Sequence, residues 1–296
     1  MQIANIPKIT FNKISRRKNH EHVRNSTRYL LNPDSPFAVK EAYINLRTSL
    51  LFCMVADKSR NCRTFAITSA NPSEGKSVTS ANVAVSLAML GKKTLLIDAD
   101  MRRPTQNKIW GIKSKGGLCD LLANIDNCAV NELKEIPLSI ICTGTIPPNP
   151  SELLSSDNMK TFIDVISTQY DYIIIDTPPI NSVADARIIS KIVDGVVIVA
   201  RSGKITGNDF INSVNVIREA GGNICGTVIN GVGSKADRSH NYYRNYKRYG
   251  YGYYRYKSKY YYTRNYYKYG GNYYNNYYYS SDNNSESSKD NEKSKK

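Results

Sequence analysis

Apolar residues in this chain fall into short continuous runs separated by longer segments with helical spacing. The runs are 64–68 (TFAIT), 94–98 (TLLID), 138–142 (LSIIC), 172–176 (YIIID), 195–200 (GVVIVA) and 224–230 (ICGTVIN). A strand that is apolar at every position, rather than at every second one, predicts burial on both faces of a parallel sheet. Helical patterns fill much of 77–90, 151–168, 184–192 and 207–220. A further one runs from Pro36 to about Met54, with Phe37, Ala38, Tyr43, Leu46, Leu50 and Leu51 as candidates for its apolar face. The alternation predicts a doubly wound, mostly parallel α/β domain over 29–234.

The two ends break this pattern. Residues 1–28 show neither helical nor alternating spacing, contain Arg16-Arg17-Lys18, and read as a flexible basic arm. Nineteen of the 23 tyrosines lie between Tyr242 and Tyr279, interleaved with Asn, Gly, Lys and Arg, a setting too polar for a folded core. The expected organisation is thus an arm (1–28), a domain (29–234), a Tyr-rich tail (235–279) and a disordered polar tract (280–296).

Charge follows the same division. The whole chain carries +16, of which 1–28 holds +6, 29–234 only +1 and 235–296 +9. A nearly neutral domain argues against a nucleic-acid-binding core. The six cysteines have no metal-ligand spacing and read as small buried hydrophobes. No apolar stretch approaches the roughly 20 residues of a membrane helix, which points to a cytoplasmic chain or one held at a membrane by a partner.

Three motifs carry chemistry. Ala70-Asn71-Pro72-Ser73-Glu74-Gly75-Lys76-Ser77 follows a predicted strand and opens a predicted helix, the context of a phosphate-binding loop, with Ala70 where glycine is usual. Its amides and the helix N-terminus can cradle phosphates, Lys76 can neutralise the β- and γ-phosphates of ATP, and Ser77 can ligate Mg²⁺. Ser73, Glu74, Gly75, Lys76, Ser77 and Val78 are the expected nucleotide contacts. Next, Asp98 and Asp100 alternate at the end of a strand, where open α/β sheets bind ligands. One could help order Mg²⁺ while the other accepts a proton from an attacking hydroxyl. Finally, the apolar strand 173–175 ends in Asp176, a Walker B pattern that would hold Mg²⁺ or its water. Such a set can hydrolyse ATP or phosphorylate a protein hydroxyl, and the motifs alone do not decide between the two.

With these segments, TGTIPPNPSELL at 143–154 and the tyrosine cluster, the chain resembles the bacterial tyrosine kinases of capsule and exopolysaccharide systems. The resemblance implies a Mg·ATP-dependent kinase that autophosphorylates its tail, activated by a transmembrane adaptor of the chain-length-determinant type and opposed by a protein-tyrosine phosphatase. It implies catalytic roles for Lys76, Asp98, Asp100 and Asp176, with Asp98 as base, and metal ligation by Ser77, Asp98 and Asp176. Tail acceptors would include Tyr260, Tyr261, Tyr262, Tyr266, Tyr267, Tyr269, Tyr273, Tyr274, Tyr277, Tyr278 and Tyr279. Asn230 resembles an adenine-contact position of related P-loop proteins. Glu41 and Arg47 match a Glu-x-x-Arg-x-x-Arg ring-assembly motif in which Ile44 replaces the first Arg, and Ser73 stands where the family often has Gly.

Two other readings compete. One is a partitioning- or cell-division-type P-loop ATPase, which resembles this chain in its loop but has a lysine where Asn71 stands. The other is a self-association or nucleic-acid module built on the tail, whose stretch between His240 and Ser281 has eight Lys/Arg and no acid. No specific nucleic acid is expected under the kinase reading.

Overall fold

The computed structural model describes residues 2–7, 29–53, 62–113, 116–123 and 129–233. The Tyr-rich tail and the polar tract lie outside the described residues, as does most of the basic arm. The described elements are β1 (Gln2–Pro7), α1 (Phe37–Cys53), β2 (Arg63–Ser69), α2 (Lys76–Ala88), β3 (Thr94–Asp98), α3 (Gln106–Trp110), α4 (Leu118–Leu122), β4 (Val130–Glu132), β5 (Leu138–Ile141), α5 (Pro150–Ser155), α6 (Asp157–Ile166), β6 (Tyr172–Asp176), α7 (Asp185–Ile189), β7 (Gly195–Arg201), α8 (Gly207–Glu219) and β8 (Ile224–Val232).

The strands form one sheet in the order β1-β8-β7-β2-β6-β3-β5-β4, parallel throughout except for the β4–β5 pair. Successive strand residues face opposite sides of a sheet, and here both sides are covered. Leu96, Ile174, Val197 and Val199 pack with α1 and α2 residues such as Leu46, Leu50 and Leu87. Their neighbours Leu95, Ile97, Ile173, Ile175, Val196 and Ile198 pack instead with Leu118, Leu154, Ile163, Ile189 and Ile217 from α4 to α8. That double burial is why the strands read as unbroken apolar runs, and it gives the three-layer, doubly wound architecture that the pattern predicts. The chain runs from β2 through α2 to β3, and β6 later inserts between those two strands. The ends of β2, β6 and β3 thereby meet at one edge.

The structure departs from the sequence expectations in several places. Residues 2–7 are not part of a flexible arm: they add a parallel edge strand to β8, with Ile6 opposite Asn230. Ala4 and Ile6 turn into the core beside α1 while Asn5 stays exposed. The remainder of the expected arm, 8–28, lies outside the described residues. The helical segment expected over 151–168 is two helices. Ser156 has extended backbone (φ −68°, ψ 158°) and its hydroxyl accepts from the Met159 N–H, so it ends α5 and caps α6. On α1, Val39, Ala42, Tyr43, Leu46 and Leu50 are buried, whereas Phe37 is 71% exposed. Four of the five described cysteines are buried and Cys53 is exposed. No helix among the described residues is long and apolar enough to cross a membrane.

Ile6 offers a direct check on the edge strand. Ile6→Ala should destabilise the domain by about 2–4 kcal/mol in chemical denaturation, the usual cost of emptying a buried isoleucine site. A change below about 0.5 kcal/mol, typical of an exposed position, would be the signature of an unstructured segment.

Candidate nucleotide and phosphoryl-transfer site

The loop 70–77 leaves the C-terminal end of β2 and runs into α2. Two residues turn it through left-handed backbone: Ser73 at φ 65° and Gly75 at φ 95°. Glycine suits Gly75 for a second reason, because a Cβ there would sit 1.9 Å from Asn230 Nδ2. Ser73 adopts a conformation that costs a non-glycine residue energy, which explains physically why glycine is favoured at this position. Among the described residues, the N–H groups of Ser73, Glu74 and Gly75 donate to no recorded acceptor. With the α2 N-terminus they form a concave set of free donors, a fit for phosphate oxygens.

Lys76 lies at the centre of the carboxylates. Its Nζ is 2.7 Å from Asp100 Oδ2 and 3.8 Å from Asp176 Oδ1, and donates to Ser77 Oγ at 3.2 Å. Burial works against the ammonium, but Asp176 and Asp100 outweigh it and hold its pKa above the ordinary lysine value. Asp176 closes β6 and is fully buried. Its Oδ1 accepts from the Ser80 hydroxyl at 3.2 Å and its Oδ2 from Gln106 Nε2 at 2.8 Å. Burial pushes its pKa up, against the pull of Lys76 and of hydrogen bonds from Ser77 and Gln106.

Asp98 closes β3, directly opposite Asp176 in the β3–β6 register. Its Oδ2 accepts from the N–H groups of Thr105 and Gln106 at 3.0 and 2.9 Å, and its Oδ1 from Asp100 N–H at 3.2 Å. It thus folds the 99–106 segment back over the sheet edge. Burial, reinforced by the Asp176 charge, pushes Asp98 up to about 7, against those backbone donors and Lys76. β3 ends at Asp98, so Asp100 reaches Lys76 from the following turn rather than from a continuing strand. Arg102 on the same segment makes a two-pronged ion pair with the buried Asp185, through Nε at 2.9 Å and a terminal nitrogen at 3.2 Å. Ser151 bonds both partners, tying this turn to α5 and α7.

Burial is the main cause that raises Asp98 and Asp176, and three carboxylates around one lysine leave the pocket short of positive charge. A divalent cation would supply it. No group of three or more His, Cys, Asp or Glu among the described residues forms a metal site by itself. That is compatible with Mg²⁺ in a nucleotide site, where the ion keeps several waters and takes one or two protein ligands plus phosphate oxygens. The donors at hand, Ser77 and buried carboxylates, fit that requirement.

The sequence motifs therefore converge: Lys76, Ser77, Asp98, Asp100 and Asp176 meet at one edge. Asn230 joins them, but its Nδ2 donates to the Glu74 carbonyl at 2.9 Å. Val78 follows in the first turn of α2. Glu41 and Arg47 stand apart on α1, where Arg47 donates to the Ser86 carbonyl of α2 at 2.7 Å, within the same chain. Sequence reasoning missed Gln106, Ser80, Arg201 and Lys204, none of which belongs to a motif. A cavity of about 440 Å³ lined by Cys62, Thr64, Lys93, Asp171 and Asp194 opens where β2, β6 and β7 begin, and shares no residue with the loop.

The raised Asp98 has a consequence for stability. An unfolded aspartate releases its proton near 3.8, whereas the folded form keeps it up to about 7. This stability contribution is fully present below 3.8 and is lost as pH rises through about 7. The melting temperature of metal- and nucleotide-free protein should therefore fall across that window, and fall less steeply in Asp98→Asn. Parallel curves for the two proteins would contradict the assignment.

Comparison with known proteins places this site in a family. The profile of the ParA family, described as NUBPL iron-transfer P-loop NTPase, matches residues 62–259. The chain is 34% identical over 207 residues to a putative tyrosine-protein kinase, CapB, of Staphylococcus aureus, covering 69% of this chain and 90% of the relative. It is 38% identical over 205 residues to the tyrosine-protein kinase YwqD of Bacillus subtilis, covering 69% and 85%. The solved structure of the kinase domain of the Escherichia coli tyrosine kinase ETK superposes with a TM-score of 0.69 at 32% identity, covering 80% of this chain and 92% of that one. A P-loop fold of this kind implies nucleotide binding with a divalent metal. The chain belongs to the bacterial tyrosine-protein kinases, built on the ParA-type P-loop NTPase fold.

Proposed function

We propose that this kinase uses Mg·ATP to phosphorylate its own C-terminal tyrosine cluster, and that the modification regulates capsule or exopolysaccharide synthesis and export. The observation that carries this reading is the position of the tail's root. β8 runs parallel to β2, so its C-terminal end lies at the edge that bears the loop, and Asn230 already touches Glu74. The described chain ends at residue 233, and Tyr242 follows nine residues later. Nine residues, at about 3.3–3.6 Å each, span at most about 30 Å, a length that would let phenols reach this site or a neighbour's.

In this mechanism the free amides of 73–75 and the Lys76 ammonium hold the phosphates. Ser77 and Asp176 are the proposed Mg²⁺ ligands, with Asp98 beside them. A bound Mg²⁺ would offset phosphate charge and supply the cation that the buried carboxylates lack. Asp98 or Asp100 orients or accepts the tyrosyl proton, and Asp98 is the favoured base, as the family resemblance implies. Phosphoryl transfer rests mostly on positioning and charge stabilisation, so the rigid hydrogen-bonded frame around Asp98 and Asp176 is itself part of the chemistry.

Around this centre we place a transmembrane adaptor that recruits the chain to the inner face of the membrane, a phosphatase that resets the tail, and a homo-oligomer using Glu41 and Arg47. Each phosphotyrosine adds about −1.5 to −2 charges near neutral pH, so roughly five or six would cancel the +9 of residues 235–296. Phosphorylation beyond that number would reverse the sign of the tail and release it from acidic surfaces.

The test is incubation with Mg·ATP, alone and with the adaptor's cytoplasmic segment, followed by mass spectrometry of 242–279. Tail phosphotyrosine should appear, and Lys76→Met should reduce it by about 100-fold or more. Phosphate release without any phosphotyrosine, even with the adaptor segment, would instead identify an ATPase switch.

A further inference from the structure

The carbonyls of the phosphate loop are spoken for one after another. The Asn71 carbonyl accepts from Ser69 Oγ at 2.8 Å, Pro72 from Lys204 Nζ at 2.7 Å, Ser73 from Arg201 at 3.1 Å and Glu74 from Asn230 Nδ2 at 2.9 Å. The last three donors come from the end of β7, the turn after it and the end of β8. They are fixed to one another: Arg201 is registered opposite Asn230, Ser202 N–H donates to the Asn230 carbonyl, and Lys204 N–H donates to the Arg201 carbonyl. The Arg201 side chain passes about one van der Waals contact from Gly231 of β8, 4.0 Å from where a Cβ would stand.

Peptide planarity gives this arrangement a direction. In a trans peptide the C=O of one residue and the N–H of the next point opposite ways, and the described chain has no cis bond. Drawing the carbonyls of 72, 73 and 74 outward therefore turns the N–H groups of Ser73, Glu74 and Gly75 inward. Those are the amides that donate to no acceptor. Ser73, held at φ 65° without glycine's freedom, needs an external tie to stay there. The Glu74 side chain is buried, with its carboxylate accepting from Asn71 N–H at 3.0 Å. That places a carboxylate close to the cradle, where burial raises its pKa against the Arg201 N–H and the Lys204 charge.

We propose that Arg201 and Lys204, together with Asn230, are positioning residues of the phosphate cradle. They grip the outer carbonyls of 72–74 so that the inner amides are preset for the phosphates of a nucleoside di- or triphosphate. Arg201 and Lys204 act through the loop backbone and not by touching the adenosine. This rests on the reading of 70–77 as the phosphate cradle.

The experiment is calorimetric titration of the full chain with Mg·ADP and, separately, with Mg·pyrophosphate, at low and at high salt. Wild type and Lys76→Met come first. If wild type binds neither probe, or Lys76→Met binds like wild type, the cradle reading itself fails. With that control passed, Arg201→Ala and Lys204→Ala should each weaken both probes by about threefold to tenfold, and the double variant by more. The losses should persist at high salt, where a contribution from distant exposed charge is screened. Lys204→Arg, which keeps a donor of sufficient reach, should stay within about twofold of wild type while Lys204→Ala does not. Three results would overturn the proposal. They are affinities within twofold of wild type for both alanine variants, a loss for ADP but not for pyrophosphate, and a loss that vanishes at high salt.

Discussion

The structure turns on a charge imbalance. Asp100 and Asp176 converge on the ammonium of Lys76, with Asp98 beside Asp176, at the edge of a parallel sheet, almost out of reach of water. Burying charge without compensation is costly. Here the cost is spread over backbone and side-chain donors: Thr105, Gln106 and Asp100 N–H on Asp98, and Ser80 and Gln106 on Asp176. What those donors do not neutralise is left for a bound metal and its nucleotide. The topology makes this possible, because inserting β6 between β2 and β3 places two strand-terminal aspartates side by side next to the loop that carries the lysine.

Much of this was legible in the sequence. A Gly-Lys-Ser after an apolar strand fixes the loop, and Asp98 and Asp176 can be read because each ends a strand that is apolar at every position. Both faces of that strand must be buried, so a carboxylate at its end falls at a sheet edge. What was not legible depends on neighbours distant in sequence. Gln106 bonds Asp176 only because the 99–106 turn folds back, and Arg201 and Lys204 reach the loop only because β7 lies beside β2. β1 escaped notice for a similar reason. Six residues with a proline and only Ala4 and Ile6 turned inward carry too weak a pattern, and the partner strand lies far along the chain, at 224–232.

The same geometry links fold to function. The P-loop architecture serves many chemistries, so the fold alone does not identify a kinase. Family membership does, and the sequence adds nineteen tyrosines beginning a few residues beyond β8. Asn71 marks the divergence from partitioning ATPases in structural terms. Where those proteins place a lysine, this chain has an amide whose Nδ2 is bonded to Asp209 of α8 at 3.0 Å.

The central claim, that the carboxylate cluster is built to be completed by a cation arriving with the nucleotide, is tested most directly by counting protons. Calorimetric titration of metal-free protein with Mg·ADP in two buffers of different ionisation enthalpy, just below pH 7, gives the number released. Completion of the cluster predicts net proton release, because the incoming cation favours the ionised form of Asp98 and Asp176, and it predicts a smaller release in Asp98→Asn. Binding with no proton release, or equally tight binding of ADP without Mg²⁺, would contradict it.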